Sequence, residues 1–475
     1  MTRLVVVSNR IAKPEGSRDS HGGLAVGVLA ALRETGGIWF GWNGKVENRE
    51  TETINVDRQG SIEYITTSLK QSEYNSYYKG FSNSVLWPLF HQRPELMKYQ
   101  LADYRGYKAV NEKFARMLVP LLKEDDIIWI HDYHLIPLGR VLREMGVTSP
   151  IGYFLHTPFP PLDLLRALPQ HRNVLIDLMH YDLVGFQTET DVRGFRESIR
   201  HSLKGQADGS GVSQFSNLSN VSGVYQIGIE TESIPEMMER GKKSQEYFRL
   251  KDSLGDRRLI IGVDRLDYSK GLEHRLQAYE RLLKNRKDLQ RKIVYLQITP
   301  TSRGDVQAYG DLANLVDRIT GHIIGAYADF DWMPLRYLNR GFRRNTILSM
   351  YNLAKVGFVT PLRDGMNLVA KEYVASQDPE DPGVLVLSKM AGAAAELDAA
   401  VIVNPYDIDN VARQLAQAVE MPLGERKERW RSMIAVLSKN NIHAWHEKFI
   451  TDLVAVNNLK KNSSQQKEKP LEAKV

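Results

Sequence analysis

Cysteine is absent from all 475 residues, which removes disulfides, thiolate zinc sites, iron–sulfur clusters and cysteine nucleophiles together. The absence fits a reducing compartment, and a cytoplasmic location is expected. Long apolar runs are missing as well. Nowhere do about 20 uncharged apolar residues follow one another, so no membrane-spanning helix and no membrane partner are expected. The N-terminus offers only Leu4–Val7 after Arg3, too short for a signal peptide and better read as a first strand. Neither the full dinucleotide glycine pattern nor P-loop spacing occurs, and no repeat of roughly 20 to 50 residues is visible. A basic stripe interleaved with aromatics is lacking too, which argues against a nucleic-acid partner.

What is present is an ordinary globular composition, 42% hydrophobic and 25% charged, in a chain too long for one core. Two large domains are the first expectation. The formal charge is +6, but the stretch from Lys460 to Val475 carries five lysines against Glu468 and Glu472, a net of +3. The body is therefore mildly basic, which suits phosphate-bearing small molecules held at local sites.

Short apolar runs alternate with helix-like stretches. In the first half they are Leu4–Ser8, Ile127–His131, Ile151–Leu155 and Leu183–Phe186; in the second, Leu259–Val263, Ile293–Ile298, Val356–Val359, Val384–Leu387 and Val401–Val403. Apolar strands without alternation predict parallel sheets covered by helices on both faces, hence an α/β fold of two doubly wound, Rossmann-like domains. Residues 205–223, rich in Gly, Ser and Asn, read as a surface excursion before a last strand near Val224–Ile227. The expected domains are 1–238 and 239–458, with a disordered polar tail over 459–475. A final helix, Ile442–Val456, carries Trp445, Phe449 and Leu453 on one face and is expected to pack back on the first domain.

In open parallel sheets ligands bind beyond the carboxyl ends of the strands. The run Val359 to Glu372 reads strand, loop, helix, and its helix start near Asn367 would aim the amides of Leu368 and Val369 at a diphosphate. Asp364 can accept from sugar hydroxyls and Glu372 can reach a ribose; equally, both carboxylates can simply cap and charge a helix start. After Leu259–Val263, Arg265 and Lys270 flank a turn and could neutralise a leaving diphosphate. The plainer alternative is surface pairing of Arg265 with Asp264 or Asp267. Arg303, beyond Ile298, sits where an anion could be gripped.

In the first half Ser8, Asn9 and Arg10 end a strand, and the pair Gly22, Gly23 allows close backbone approach or a simple tight turn. Other strand ends deliver Asp132 and His156. His131 and His134 do not converge with a third ligand, so no metal site is expected there. Asp329 and Asp331 form a DxD pair that reads as a solvated turn. Tyr77, Tyr78 and Trp87, in a stretch that reads as irregular, are candidates for sugar stacking or for core packing.

Taken together, VVVSNR, GGLAVG, SNSVLWPLFH, WIHDYHL, GYFLHTPFP, VDRLDYSKGL, TPTSRGDVQAY and PLRDGMNLVAKEY resemble the trehalose-6-phosphate synthase family of retaining glycosyltransferases, to about Leu453. The resemblance implies two Rossmann-like domains facing each other across a cleft, in the B-type glycosyltransferase arrangement, with donor on the second and acceptor on the first. It implies Arg265 and Lys270 on the donor diphosphate, Asp364 on the transferred glucose, Glu372 on the ribose and His156 on the glucose 6-hydroxyl. Gly22, Gly23, Met366, Asn367, Leu368 and Val369 complete the donor cradle. Arg10 and Arg303 would grip the acceptor phosphate, and Tyr78, Trp87 and Asp132 the acceptor sugar. The substrates implied are a nucleotide-glucose, UDP-glucose by preference, and glucose 6-phosphate. A homo-oligomer with no metal and no cofactor is expected, serving osmoprotection and the stress response. The rival within this chemistry is a glucosylglycerol-phosphate synthase, which joins glucose to glycerol 3-phosphate; outside it, a catalytically dead sugar-phosphate sensor.

Overall fold

The computed structural model describes residues 3–11, 23–48, 52–301 and 307–468. It divides into two compact units, one holding Leu24–Gln226, the first strand and the chain from His443, the other Ile227–Ile442. Among the described residues sixteen strands form two sheets.

The first sheet contains β1 (Leu4–Arg10), β2 (Gly37–Glu47), β3 (Asn55–Gln59), β4 (Ile62–Lys70), β5 (Ile127–His131), β6 (Ile151–Phe154), β7 (Leu183–Phe186), β8 (Gln206–Ala207), β9 (Val212–Phe215) and β10 (Leu218–Val224). Their order is β3-β4-β2-β1-β5-β6-β7-β10-β9-β8. From β4 to β10 every pair is parallel, and antiparallel strands close both edges. The core strands are apolar because both faces are covered: Val5, Val6, Val7, Ile128, Trp129 and Ile130 are wholly enclosed. Chain order reverses between β1 and β5. Whatever binds this sheet belongs beyond the carboxyl ends of those two strands.

Three expectations change here. Residues 206–224 form three strands, and the last strand runs over Leu218–Val224, with no strand at Tyr225–Ile227. Ser and Asn conceal it because they meet polar partners indoors: Asn220 is buried and its Nδ2 donates to the Leu178 carbonyl at 3.0 Å. The units accordingly divide at Gln226, before the expected 238, since helix Ile234–Lys242 packs with helix Arg344–Leu353 in the second unit. Of the expected tail, residues 459–468 continue the last helix, which spans Ile442–Glu468, and Lys460 Nζ bonds Asp182 Oδ1 and the Ser219 carbonyl, each at 2.8 Å; residues 469–475 lie outside the described residues. Its apolar face packs on the first sheet. Phe449 stacks on Trp129 and Trp445 packs against it at a tilt, both at 4.8 Å between centroids, and Phe449 and Leu453 fill the space left by Gly152.

The second sheet holds β11 (Arg258–Val263), β12 (Ile293–Ile298), β13 (Leu335–Leu338), β14 (Val356–Val359), β15 (Val384–Ser388) and β16 (Val401–Val403) in the order β13-β12-β11-β14-β15-β16, all parallel. Renumbered within the unit this is 3-2-1-4-5-6, the doubly wound dinucleotide order, with its reversal between β11 and β14.

A buried ion pair anchors the helix that follows β14. Lys371 and Glu396 are 0% and 3% exposed, and Lys371 Nζ also donates to the Ile227 carbonyl at 2.8 Å. Burial lowers the Lys371 pKa while the carboxylate opposes that effect. Lys371→Ala strands a carboxylate indoors and is expected to cost about 3–5 kcal/mol, measured as the shift in the urea unfolding midpoint of this unit; a cost near zero would mean that the pair does not anchor the helix.

Candidate active site

At the reversal of the second sheet two loops are sewn together. The loop after β11 runs from Asp264 to Gly271; the loop after β14 runs from Thr360 to Asn367. Leu362 N–H donates to the Ser269 carbonyl at 2.8 Å. Asp267 caps the first loop, accepting from Ser269 N–H at 2.9 Å. Gly271 has φ +67°, and a Cβ there would stand 2.5 Å from the Thr360 oxygen, so only glycine lets the loops approach. Lys270 Nζ then reaches Asp364 Oδ2 at 2.5 Å, with both side chains 12–13% exposed. Asn367 Nδ2 donates to the same carboxylate oxygen at 3.0 Å.

Asn367 also caps helix Leu368–Ala375, its Oδ1 accepting from Ala370 N–H at 3.2 Å. The amides of Leu368 and Val369 lie in the first turn, among those without partners inside the helix, where an anion is favoured. Asn367 holds φ +74°, a costly conformation for a residue with a side chain.

Arg275 supports this arrangement from below. It is fully buried, and it donates to Asp264 Oδ2 at 2.5 Å, Thr360 Oγ1 at 3.0 Å, Gln297 Oε1 at 3.2 Å and the Lys270 carbonyl at 3.1 Å. One guanidinium thus ties together the ends of three strands. Asp264 is committed to Arg275, and its carboxyl is raised by burial against that cation. Arg265 lies exposed on the same loop. The loop after β14 is held from its other side too: Asp364 N–H donates to the Met390 carbonyl at 3.2 Å and Ala393 N–H to the Met366 carbonyl at 2.8 Å. Glycine at 392 is required there, because a Cβ would meet the backbone of Gly365 and Met366.

In the first unit the reversal lies between Arg10 and Asp132. Arg10 is exposed at the end of β1, its guanidinium 5.9 Å from the Trp42 ring. Asp132 carries φ +73° and ψ 166°, a region populated almost solely by glycine, and its Oδ1 accepts from His156 N–H at 3.3 Å. A non-glycine held there marks stored strain of about 1–3 kcal/mol and directs attention to its carboxylate.

His156 Nε2 lies 3.1 Å from His131 Nδ1. Burial holds both imidazoles neutral, His156 down to about 3 and His131 well below its usual range, with each cation opposing the other in the His131 case. The unfolded chain protonates each near pH 6.5, so their contribution to stability is present above that pH and is lost as pH falls toward about 3. Asp177, raised to about 6 by burial, acts in the opposite direction, so the informative quantity is a difference between proteins. His156→Asn is expected to flatten the acid side of the stability curve by about 1.4 kcal/mol per pH unit between about pH 6 and 4. Denaturant melts of parent and variant across that range measure it, and equal slopes would argue against a neutral His156.

Tyr78 and Trp87 do not lie in an irregular stretch. Tyr74–Leu86 is a wide helix with i→i+5 hydrogen bonds, ending as Trp87 N–H donates to the Ser82 carbonyl, a form that recurs at functional sites. Tyr78 stacks on His134, centroids 5.9 Å apart and planes at 11°. Trp87 is buried against His91 and Tyr133, at 4.0 and 5.6 Å between ring centroids.

A family model described as glycosyltransferase family 20 matches residues 2–455. The chain belongs to glycosyltransferase family 20. It is 50% identical over 454 residues to the trehalose-6-phosphate synthase of Sodalis glossinidius (strain morsitans), covering 95% of this chain and 96% of that protein. It resembles the crystal structure of a UDP-forming α,α-trehalose-phosphate synthase from Burkholderia xenovorans in complex with glucose-6-phosphate, at TM-score 0.92 and 47% identity over 95% of this chain and 99% of that one. An E. coli structure described as bound with UDP-2-fluoro glucose matches at TM-score 0.91 and 47% identity, with the same coverage.

In this family 20 glycosyltransferase the candidate residues fall into two groups. Lys270, Asp364, Met366, Asn367, Leu368 and Val369 gather at the second sheet's reversal, with Arg265 on the adjoining loop. Arg10, Asp132 and His156 lie at strand ends of the first sheet, Tyr78 on the wide helix. Glu372 accepts from Arg344 Nε at 3.0 Å and Nη2 at 2.9 Å, and burial raises its carboxyl while Arg344 opposes that. Gly23 begins helix Gly23–Thr35, whereas Gly22 and Arg303 lie outside the described residues. Asp329 and Asp331 are exposed and both pair with Arg291. Arg275, Arg344 and Gly392 escaped the sequence reading, since contacts that define them, such as Arg275 with Thr360 and Arg344 with Glu372, join separate stretches of the chain. No helix among the described residues is long and apolar enough to cross a membrane.

Proposed function

We propose that this chain transfers glucose, with retention, from UDP-glucose to glucose 6-phosphate, releasing UDP and giving α,α-trehalose 6-phosphate. The observation that carries it is the meeting of Lys270, Asp364 and the Asn367-capped helix start at the reversal of the 3-2-1-4-5-6 sheet. That is a cation, a sugar-hydroxyl acceptor and oriented amides at a place suited to a nucleotide diphosphate. Relatives that bind glucose-6-phosphate and UDP-2-fluoro glucose support it, and none of the relatives named above is a glucosylglycerol-phosphate synthase.

Lys270 and Arg265 neutralise the departing diphosphate, Leu368 and Val369 amides bind its oxygens, Asp364 takes hydrogen bonds from the glucose hydroxyls, and Glu372, steadied by Arg344, holds the ribose. Arg10 and Arg303 bind the acceptor phosphate; Asp132 and Tyr78 position the acceptor sugar, and His156 the donor 6-hydroxyl. The acceptor anomeric oxygen bonds to C1 on the face from which the diphosphate leaves, the C1–oxygen bond to phosphate breaks, and the hydroxyl proton passes to the leaving phosphate. No protein nucleophile is needed; positioning and charge stabilisation suffice. Neither a metal nor a cofactor takes part, and the work is done in the cytoplasm by a homo-oligomer.

A grid of UDP-, GDP- and ADP-glucose against glucose 6-phosphate and glycerol 3-phosphate tests the reading. Acceptor-dependent UDP release with a product of trehalose 6-phosphate mass is expected. Turnover confined to glycerol 3-phosphate, or none with any pair, would overturn it.

A further inference from the structure

Outside the residues given roles in transfer, the first unit brings two imidazoles and a carboxylate together. His443 and His446 lie three apart in the first turn of helix Ile442–Glu468, which puts them on one side. Glu34, from the last turn of helix Gly23–Thr35, comes between them across 409 residues of sequence. Its Oε1 accepts from His443 Nδ1, and its Oε2 stands 3.4 Å from His446 Nε2. The rings are 5.7 Å apart at 70°, and one donor atom from each of the three residues lies within 4.8 Å of the others.

The burial is uneven in a telling way. Glu34 and His443 are about half exposed, at 49% and 46%, while His446 is only 3% exposed. Its Nε2 is enclosed, makes no hydrogen bond and is aimed into the cluster. For ligand bonds of about 2.0–2.1 Å, tetrahedral geometry sets ligand atoms about 3.3–3.4 Å apart. The Glu34–His446 separation already meets that spacing.

We propose that Glu34, His443 and His446 form a binding site for a divalent transition ion of the zinc type, with two imidazole nitrogens, one carboxylate oxygen and a fourth position open to water. Imidazole donors select this class over magnesium or calcium. The ion clips the end of one helix to the start of another. That second helix carries Trp445, which packs on Trp129, His131 and His156 at 4.8, 6.3 and 6.1 Å. The site is structural and takes no part in glucosyl transfer.

Chelator-treated, tag-free full-length protein titrated with zinc chloride in a calorimeter is expected to bind one ion per chain. The melting temperature should rise by about 5 °C at a hundredfold excess over Kd. Glu34→Gln and His443→Ala each weaken binding by at least about tenfold and leave trehalose 6-phosphate formation unchanged, their side chains being half exposed and outside the transfer machinery. Zinc-soaked crystals should show anomalous density among the three side chains. Absence of saturable one-to-one binding, parental affinity in both variants, or anomalous density elsewhere overturns the proposal.

Discussion

Lys270→Ala is expected to lower kcat/KM by about 10²–10³, which corresponds to about 2.7–4 kcal/mol of lost transition-state stabilisation. The effect should fall mainly on kcat, because the charge on the diphosphate grows only as the C1–oxygen bond breaks. The loop itself survives the substitution. Lys270 N–H donates to the Asp267 carbonyl at 3.0 Å, and its own carbonyl is held by Arg275. From sequence alone the change looks neutral for stability; the structure assigns it a cost, since Asp364 loses its cation in a site where both partners are 12–13% exposed. Asn367 Nδ2 still donates to that carboxylate, so the cost should stay at about 1–3 kcal/mol. Lys270→Arg restores charge with the wrong shape, a planar fork in place of a point charge, and should recover only part of the rate. Steady-state kinetics with a melting curve on each variant reads all of this. Full turnover in Lys270→Ala would remove Lys270 from the mechanism.

The strands were legible because parallel strands buried on both faces spell themselves as apolar runs, and Ile127–His131, Ile293–Ile298 and Val356–Val359 lie where those runs predict. Their order was not, because pairing β11 with β14 joins segments nearly a hundred residues apart and leaves no local mark. Strand β10 stayed hidden because polar side chains such as Asn220 find partners indoors and so carry no apolar signal. The loops after β11 and β14 drew attention through residue type: a helix cap at Asn367 and cations at 265 and 270 are local features. Arg275 did not, since an arginine within a helix reads as a solvated face, and its four partners come from three separate stretches of the chain. The strain at Asp132 and Asn367 was equally invisible, backbone dihedrals being a property of the surroundings as much as of the residue. At both sheets such a residue stands where chain order reverses, and in each case it is one the motifs had already singled out.

Gly392→Ala is expected to be as damaging as Lys270→Ala although residue 392 touches no substrate in the proposed mechanism. Its backbone closes against the loop after β14: Gly392 N–H donates to the Asp364 carbonyl at 3.3 Å, and Asp364 pairs with Ala391 in a short parallel bridge. An added methyl would be driven into the Gly365 carbonyl and would stand 3.1 Å from Met366 Cα. These neighbours are backbone, so no side-chain rotation relieves the overlap. The segment from Gly365 to Asn367 must shift, carrying with it the cap of helix Leu368–Ala375 and the Asn367–Asp364 contact. A displacement of about 1 Å at groups that orient a substrate costs about 10²-fold in rate, and overpacking adds about 1–3 kcal/mol of lost stability. Donor KM should rise along with the fall in kcat, unlike the kcat-weighted loss in Lys270→Ala, because in the proposed mechanism the amides at 368 and 369 serve ground state and transition state alike. Gly310→Ala, on the exposed part of helix Gln307–Tyr327 with nothing within 4 Å of the new methyl, is the control and should be neutral or stabilising by up to about 1 kcal/mol. If Gly392→Ala kept parental KM and kcat, the loop after β14 would not be the donor cradle.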